Sequence, residues 1–291
     1  MIYGDKNTGV IVQGATGKQG RFHINLMNRY ADEVGGKGVV AGVTPGKGGQ
    51  EVDGVPVYDS LREALAEHDA SASVLFVPGF AAGDSIMEAA YNGLETVVAI
   101  TEHIPVHDAM CAISYARLEG CSVIGPNCPG ILSPGEIKMG IMPAHLAFKA
   151  NTGNVGIISR SGTLTYEVVN ELTRAGIGQS TIVGIGGDPV IGQTFVDVLE
   201  RFENDPETRG IVLIGEVGGN LEEEGASYTD LPIVTYIAGV SAPPEKRMGH
   251  AGAIVEGGEG DAGSKIRRLE AQGVTVASKP SLIPTLIREM L

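Results

Sequence analysis

Of the six histidines in this 291-residue chain, His250 alone has nothing bulky beside it, in Gly249-His250-Ala251-Gly252-Ala253. An unhindered imidazole is a nucleophile at neutral pH when a second group holds its other ring nitrogen. Without that group it is a loop histidine with no task, and spacing alone weighs the two readings equally. Lys246 and Arg247 add positive charge just upstream. Two other stretches offer the missing parts. Arg160-Ser161-Gly162-Thr163-Leu164-Thr165-Tyr166 follows an apolar run. Small hydroxyl residues at a helix start turn backbone N–H groups and the positive end of the dipole toward an anion. Ser161 or Thr163 would also serve as an N-cap, and the two roles are compatible. Glu216-Val217-Gly218-Gly219 ends another apolar run, where a carboxylate can reach a ligand or orient a histidine. The acidic Glu222-Glu223-Glu224 beyond it reads as a solvated helix start.

The first half carries a different chemistry. Val10–Gln13 runs into Gly14-Ala15-Thr16-Gly17-Lys18-Gln19-Gly20, a G-x-x-G-x-x-G turn that suits a pyrophosphate but departs from the G-x-G-x-x-G of dinucleotide sites. The next apolar run ends in Val43-Thr44-Pro45-Gly46-Lys47-Gly48-Gly49, with a cation where an NAD site needs an acid on the ribose. Lys47 suits an added ribose phosphate, which points to NADP or coenzyme A; the alternative is an exposed lysine on a flexible loop. Ile100-Thr101-Glu102 ends a further run, and Glu102 either orients a ligand hydroxyl or amide or caps the helix that follows. No G-x-x-x-x-G-K-S/T occurs, so a nucleoside triphosphate would be held by another polypeptide. His103 and His107 are four apart, but Pro105 between them breaks the helical face, and no metal is expected. Cys128, in Gly125-Pro126-Asn127-Cys128-Pro129-Gly130, reads as a packed thiol rather than a nucleophile.

These residues need strand ends and helix starts to hold them. Strands are predicted at Val10–Gln13, Gly38–Val43, Ser73–Val77, Thr96–Ile100 and Ser122–Ile124. A second set follows at Val155–Ser159, Thr181–Ile185, Gly210–Gly215, Ile233–Ala238 and Val274–Ala277. Helices are predicted near Gln19–Tyr30, Ser60–Glu67, Asp84–Asn92 and Val106–Glu119. Five more follow near Thr163–Ala175, Gln193–Asn204, Leu221–Ser227, Ala262–Gln272 and Ser281–Met290. Apolar strands alternating with helices predict α/β folding on parallel sheets covered on both faces. Two sheets fit the length better than one. Gly125–Gly153, rich in Gly and Pro and without periodicity, predicts the boundary, giving domains 1–126 and 127–291.

Bulk composition narrows the function. A net charge of −14 argues against a nucleic-acid binder. Three cysteines make no disulfide framework and suit a reducing compartment. No targeting segment precedes Val10, and no apolar run approaches the ~18 residues of a membrane span. A cytoplasmic location is the expectation.

Taken together these motifs identify a family. Thr16-Gly17-Lys18-Gln19-Gly20, Val43 to Gly49, Ile100-Thr101-Glu102, Gly125 to Gly130, Ser159 to Tyr166, Gly184-Ile185-Gly186-Gly187-Asp188-Pro189 and Gly249 to Ala253 closely resemble the α subunits of succinate–CoA ligase (succinyl-CoA synthetase). The match runs nearly end to end. One departure is Phe80-Ala81 after Val77-Pro78-Gly79, where the family has a second proline and then Phe; that strand end is left out of the cofactor site. The resemblance implies an N-terminal Rossmann-like CoA-binding domain and a flavodoxin-like parallel-sheet ligase domain. It implies that Thr16, Gly17, Lys18, Gln19, Lys47, Ile100, Thr101 and Glu102 bind coenzyme A. His250 would carry a phosphoryl group, with Glu216 holding its imidazole. Ser161, Gly162 and Thr163 would stabilise the phosphoryl oxygens, and Tyr166 would lie beside the substrate. A β subunit of ATP-grasp fold would supply Mg²⁺ and ADP/ATP or GDP/GTP, as αβ or α₂β₂, in the tricarboxylic acid cycle. Rival readings are a related malate– or citrate–CoA ligase, an NADP-dependent two-domain reductase, and a non-catalytic CoA-sensing module.

Overall fold

The computed structural model describes residues 2–240 and 260–291. Its first sheet holds β1 (Val10–Gln13), β2 (Val39–Val43), β3 (Glu51–Val52), β4 (Val55–Tyr58), β5 (Ala72–Leu75), β6 (Thr96–Ala99) and β7 (Ser122–Ile124). Their order is β3-β4-β2-β1-β5-β6-β7. All neighbours are parallel except β3 and β4. The connections are α1 (Lys18–Val34), α2 (Leu61–Glu67), α3 (Gly79–Tyr91) and α4 (Val106–Leu118). β1, β5, β6 and β7 are buried at every residue, as strands covered on both faces must be. The parallel strands have the Rossmann order, which reverses between β1 and β5 and opens a crevice at their carboxyl ends.

The second sheet holds β8 (Gly130–Ser133), β9 (Ile137–Gly140), β10 (Thr152–Ser159), β11 (Gln179–Gly184), β12 (Gly210–Gly215), β13 (Ile233–Ile237) and β14 (Thr275–Val276). Their order is β14-β13-β12-β10-β11-β8-β9. The five strands from β14 to β11 are parallel and follow the flavodoxin-like order, with the reversal between β10 and β12. Packed against them are α5 (Ala144–Ala147), α6 (Gly162–Arg174), α7 (Phe195–Glu203), α8 (Leu221–Ala226), α9 (Ala262–Ala271) and α10 (Ile283–Met290).

Gly125–Gly153 is not the structureless stretch its composition predicts. It contains the antiparallel hairpin β8–β9, which extends the second sheet beside β11, and the one-turn helix α5. Four-residue strands parted by Pro134, Gly135 and Glu136 are too short to show a period. β3 and β4 escape the sequence for the same reason. The helix expected at Asp84–Asn92 begins earlier, at Gly79, with Pro78 in the N-cap position. Phe80 and Ala81 therefore lie in its first turn.

The hairpin ties the two halves together. The Gly135 N–H donates to the Tyr30 hydroxyl of α1 at 2.9 Å. Apolar residues of α1 and β1 (Val12, Ile24, Met27) share one buried cluster with Ile131, Ile137 and Met139 of the hairpin. Residues that follow β6, β10, β12 and β13 line one cleft between the two sheets.

Candidate functional site

The β1 turn is shaped for close backbone approach. Gly14 has φ +82°, and a side chain there would press on the Phe76 carbonyl at 2.5 Å. A Cβ on Gly20 would collide with the Gly14 carbonyl, so glycine lets α1 start directly over β1. Gly17 is the N-cap, no acid lies in the first turn, and Lys18 and Gln19 are exposed. The positive end of α1 thus remains available to an anion. The neighbouring β2 loop is latched to this turn, because the Thr16 N–H donates to Thr44 Oγ1 at 3.2 Å. Asp59 accepts from the Gly48 N–H at 2.8 Å and fixes the loop that presents exposed Lys47.

At the end of β6 the three predicted residues part company. Thr101 is buried and donates its hydroxyl to the Val77 carbonyl at 2.9 Å, bracing β6 against β5. Ile100 and Glu102 instead line a cleft of about 620 Å³ where the two halves meet. Glu102 does not cap α4, whose N-cap is Pro105. That boundary also leaves His103 outside the helix that holds His107, so their spacing makes no common face.

The same cleft is lined by Ser161, Gly162, Thr163, Tyr166 and Glu216. The expected phosphate cradle and the last part of the expected CoA site therefore share one cavity. Ser161 is the N-cap of α6, its Oγ accepting from the Leu164 N–H at 3.4 Å. Gly162 and Thr163 occupy the first turn, where N–H groups have no acceptor within the helix, and no acid is present there. Burial pushes the Tyr166 phenol up to about 12, so it faces the cleft as a protonated hydroxyl. Cys128 also lines the wall, but its thiol donates to the Ala99 and Ile124 carbonyls and burial pushes it up to about 12. It is a packed thiol with no route to a thiolate at neutral pH.

Thr16, Gly17, Lys18, Gln19 and Lys47 do not line this cleft; they lie at the ends of β1 and β2. Along the order β2-β1-β5-β6, three strand spacings of about 4.8 Å separate the Lys47 loop from Ile100. A ligand using both ends must be long. The glycine turn, the α1 N-terminus and exposed Lys47 would offer N–H groups and a cation to an anionic end of such a ligand.

Sequence reasoning missed the support beneath Glu216. Glu222 and Glu223 are not solvated: they are 0% and 7% exposed. Gly215 has no Cβ where the Glu222 side chain folds back over the end of β12. There Glu222 meets Arg160 Nη1 at 3.1 Å and Lys265 Nζ at 2.5 Å. Its Oε1 also accepts the Glu216 N–H at 3.1 Å. Arg160 opens the motif that ends at Tyr166, whereas Lys265 lies inside the predicted helix Ala262–Gln272, apart from every motif. A run of three acids conceals which one turns inward, since only the fold brings cations to it.

His250, Lys246 and Arg247 lie outside the described residues. The chain on either side of them is described. Ala238 and Gly239, just past β13, line the cleft. Gly260 returns to the Glu216 loop, its carbonyl accepting the Gly218 N–H at 2.8 Å. Among the described residues no group of three or more His, Cys, Asp or Glu is placed to hold a metal ion. No helix among them is long and apolar enough to cross a membrane.

A CoA binding domain model matches residues 5–103 and a CoA-ligase model matches residues 158–275. The succinate–CoA ligase [ADP-forming] subunit alpha 2 of Archaeoglobus fulgidus is 55% identical over 290 residues, 99% of this chain and 98% of that one. The succinate–CoA ligase [ADP-forming] subunit alpha of Methanothermobacter thermautotrophicus is 55% identical over 100% of this chain and 97% of its own. Among solved structures, the ATP citrate lyase of Methanothrix soehngenii, in complex with citrate and coenzyme A, superposes with a TM-score of 0.89 at 25% identity. That match covers 99% of this chain and 50% of the lyase, so the chain spans about half its length. With relatives more than half identical from end to end, the chain belongs to the succinate–CoA ligase α-subunit family.

Proposed function

We propose that this chain is the α subunit of a succinate–CoA ligase, interconverting succinyl-CoA, nucleoside diphosphate and phosphate with succinate, CoA and nucleoside triphosphate. One observation carries the reading: relatives named succinate–CoA ligase [ADP-forming] subunit alpha are 55% identical over 99% and 100% of this chain. Residues 1–126 form the CoA-binding unit and residues 127–291 the ligase unit. Thr16 to Gln19 and Lys47 hold the phosphates of coenzyme A, and Ile100 to Glu102 guide its thiol end toward the cleft.

Phosphate attacks the thioester carbonyl of succinyl-CoA; the C–S bond breaks, CoA leaves as thiolate, and succinyl phosphate remains. His250 attacks phosphorus, the bond to the carboxylate oxygen breaks, and succinate departs. Ser161, Gly162 and Thr163 stabilise the phosphoryl oxygens during that step, and Tyr166 orients the acid. Glu216 holds the second imidazole nitrogen and balances the charge that develops on the ring. Phosphohistidine is then passed to ADP or GDP on a β subunit of ATP-grasp fold, which also supplies Mg²⁺. The α-subunit names of the relatives support a heteromer. An αβ or α₂β₂ assembly working in the tricarboxylic acid cycle in the cytoplasm completes the proposal.

Steady-state rates of the assembled enzyme with succinate, malate and citrate test the acid assignment. Succinate is expected to give a kcat/KM at least a hundredfold above the others. A preference for malate or citrate would replace succinate by that acid.

A further inference from the structure

Attack by phosphate puts negative charge on the thioester carbonyl oxygen, and the α6 start is taken up with the phosphate itself. Asn127 stands where that oxygen must form. On one side is Glu102, beyond β6, where the thiol end of coenzyme A arrives. On the other is the start of α6: a Cβ on Gly162 would lie 3.9 Å from Pro129, which follows Asn127 in the same loop. Glu102, Asn127, Pro129 and Gly162 all line the one cleft. The Asn127 backbone N–H donates to the Thr101 carbonyl at 3.0 Å, and its carbonyl accepts the Gly187 N–H at 3.4 Å. It is thus tied to the ends of both β6 and β11. Its φ is +56°, in the left-handed region that asparagine tolerates better than most side chains. A residue held in that conformation within a cleft points to a task there.

The loop after β11 comes this close because Gly186 has no side chain; a Cβ there would collide with the Pro126 carbonyl. That approach brings Asp188 to the Asn127 amide, whose Nδ2 donates to Asp188 Oδ1 at 2.9 Å. The second N–H faces Glu102 Oε1 at 3.5 Å, beyond the usual range of a hydrogen bond. Carboxylates only accept, so the nitrogen end of the amide is fixed toward these two neighbours. We propose that Asn127 donates its second N–H to the thioester carbonyl oxygen of the acyl-CoA. A phosphate oxygen attacks the carbonyl carbon, the π pair moves onto the carbonyl oxygen, and the Asn127 N–H stabilises it there. When the pair returns, the C–S bond breaks and CoA leaves as thiolate. Glu102, with a side chain 52% exposed, yields only a long contact to the incoming carbonyl. Across the cleft, the positive start of α6 offsets charge on the two carboxylates. The inference rests on the ligase reading.

The experiment follows thiol release in a single turnover of the assembled enzyme with succinyl-CoA and phosphate. Beside it run ATP–ADP exchange by the same enzyme, which breaks no thioester, and titration calorimetry with CoA. Asn127→Gly removes the amide and suits the left-handed backbone. Asn127→Asp keeps the shape and puts an acceptor where the donor was. Each is expected to slow thiol release at saturating succinyl-CoA about a hundredfold or more, as loss of an oxyanion donor does. Exchange should stay within about twofold and the Kd for CoA within about threefold of wild type, because the lost contact belongs to the transition state. Thiol release within about threefold of wild type in assembled Asn127→Gly overturns the inference. Exchange that falls in step with release, or failure of Asn127→Gly to assemble, marks a structural tie and overturns it too. A raised Kd for CoA with normal release at saturation marks a contact to the pantetheine arm, and equally overturns it. Should Asn127→Asp alone fail to assemble, Asn127→Gly decides. Wild type that releases no thiol with a competent partner removes the ligase reading, and this inference with it. Wild type that releases thiol beside unslowed variants removes the inference alone.

Discussion

Among the described residues, Lys138 on β9 is the cation most at odds with its surroundings, and replacing it should stabilise the protein. It is 3% exposed, its ammonium donates to the Gly140 carbonyl at 2.6 Å, and burial pushes it from 10.5 down to about 7. The unfolded chain keeps this proton up to its ordinary value, whereas the folded chain keeps it only up to about 7. Between those values folding releases a proton, so stability rises with pH; below the lower value the penalty is constant. With about 1.4 kcal/mol per unit, Lys138 costs about 4 kcal/mol at pH 7 and about 2 kcal/mol at pH 9. Lys138→Met removes that cost but leaves the Gly140 carbonyl without its donor, a loss of about 1 kcal/mol. A net gain of about 3 kcal/mol at pH 7 follows, shrinking to about 1 kcal/mol at pH 9. Urea unfolding of both proteins at pH 7, 8 and 9 reads the difference directly. A gap that does not narrow with pH would show that Lys138 keeps its proton on folding, and would refute the reasoning. The site matters because β9 packs on α1, in the seam that sets the spacing of the two halves. His23 of α1 lies in the same seam, pushed down to about 4 by burial and then by the Lys138 charge.

Other expectations concern the site itself. Lys47→Ala should weaken coenzyme A binding about tenfold or more by titration calorimetry, since it removes a charge-assisted contact, while adduct formation from ATP stays within about twofold of wild type. Glu216→Gln should lower adduct formation by at least about a hundredfold with little change in the KM for CoA, because the lost interaction belongs to the transition state. Cys128→Ala should retain adduct formation and turnover within about threefold; loss of all turnover in a folded variant would make the thiol a participant.

Much of this architecture follows from local patterns. Val10–Gln13, Ser122–Ile124 and Gly210–Gly215 are strands at the predicted bounds, because continuous β-branched runs flanked by glycine leave little choice. The α6 start is legible to within a residue: a helix is expected near Thr163 with Ser161 or Thr163 as its cap, and it begins at Gly162 with Ser161 capping. The β8–β9 hairpin is not legible: four residues carry too little period, and its strands are stabilised by β11 and α1, which lie far along the chain. Glu222 shows the same limit at the site. Its inward turn depends on Gly215, Arg160 and Lys265 converging from three elements, and no window of sequence contains them all. The gathering of Ile100 and Glu102 with Ser161 and Glu216 around one cleft is likewise a property of how the two sheets meet.

The central claim is that His250 carries the phosphoryl group between the cleft and a partner subunit. Its most direct test is mass spectrometry of the α chain after incubation with the partner subunit, ATP and Mg²⁺. The account predicts an acid-labile adduct of one phosphoryl group that maps to His250, disappears on adding succinate and CoA, and is absent in His250→Asn. An adduct that persists in His250→Asn, or none in wild type with a competent partner, would contradict it.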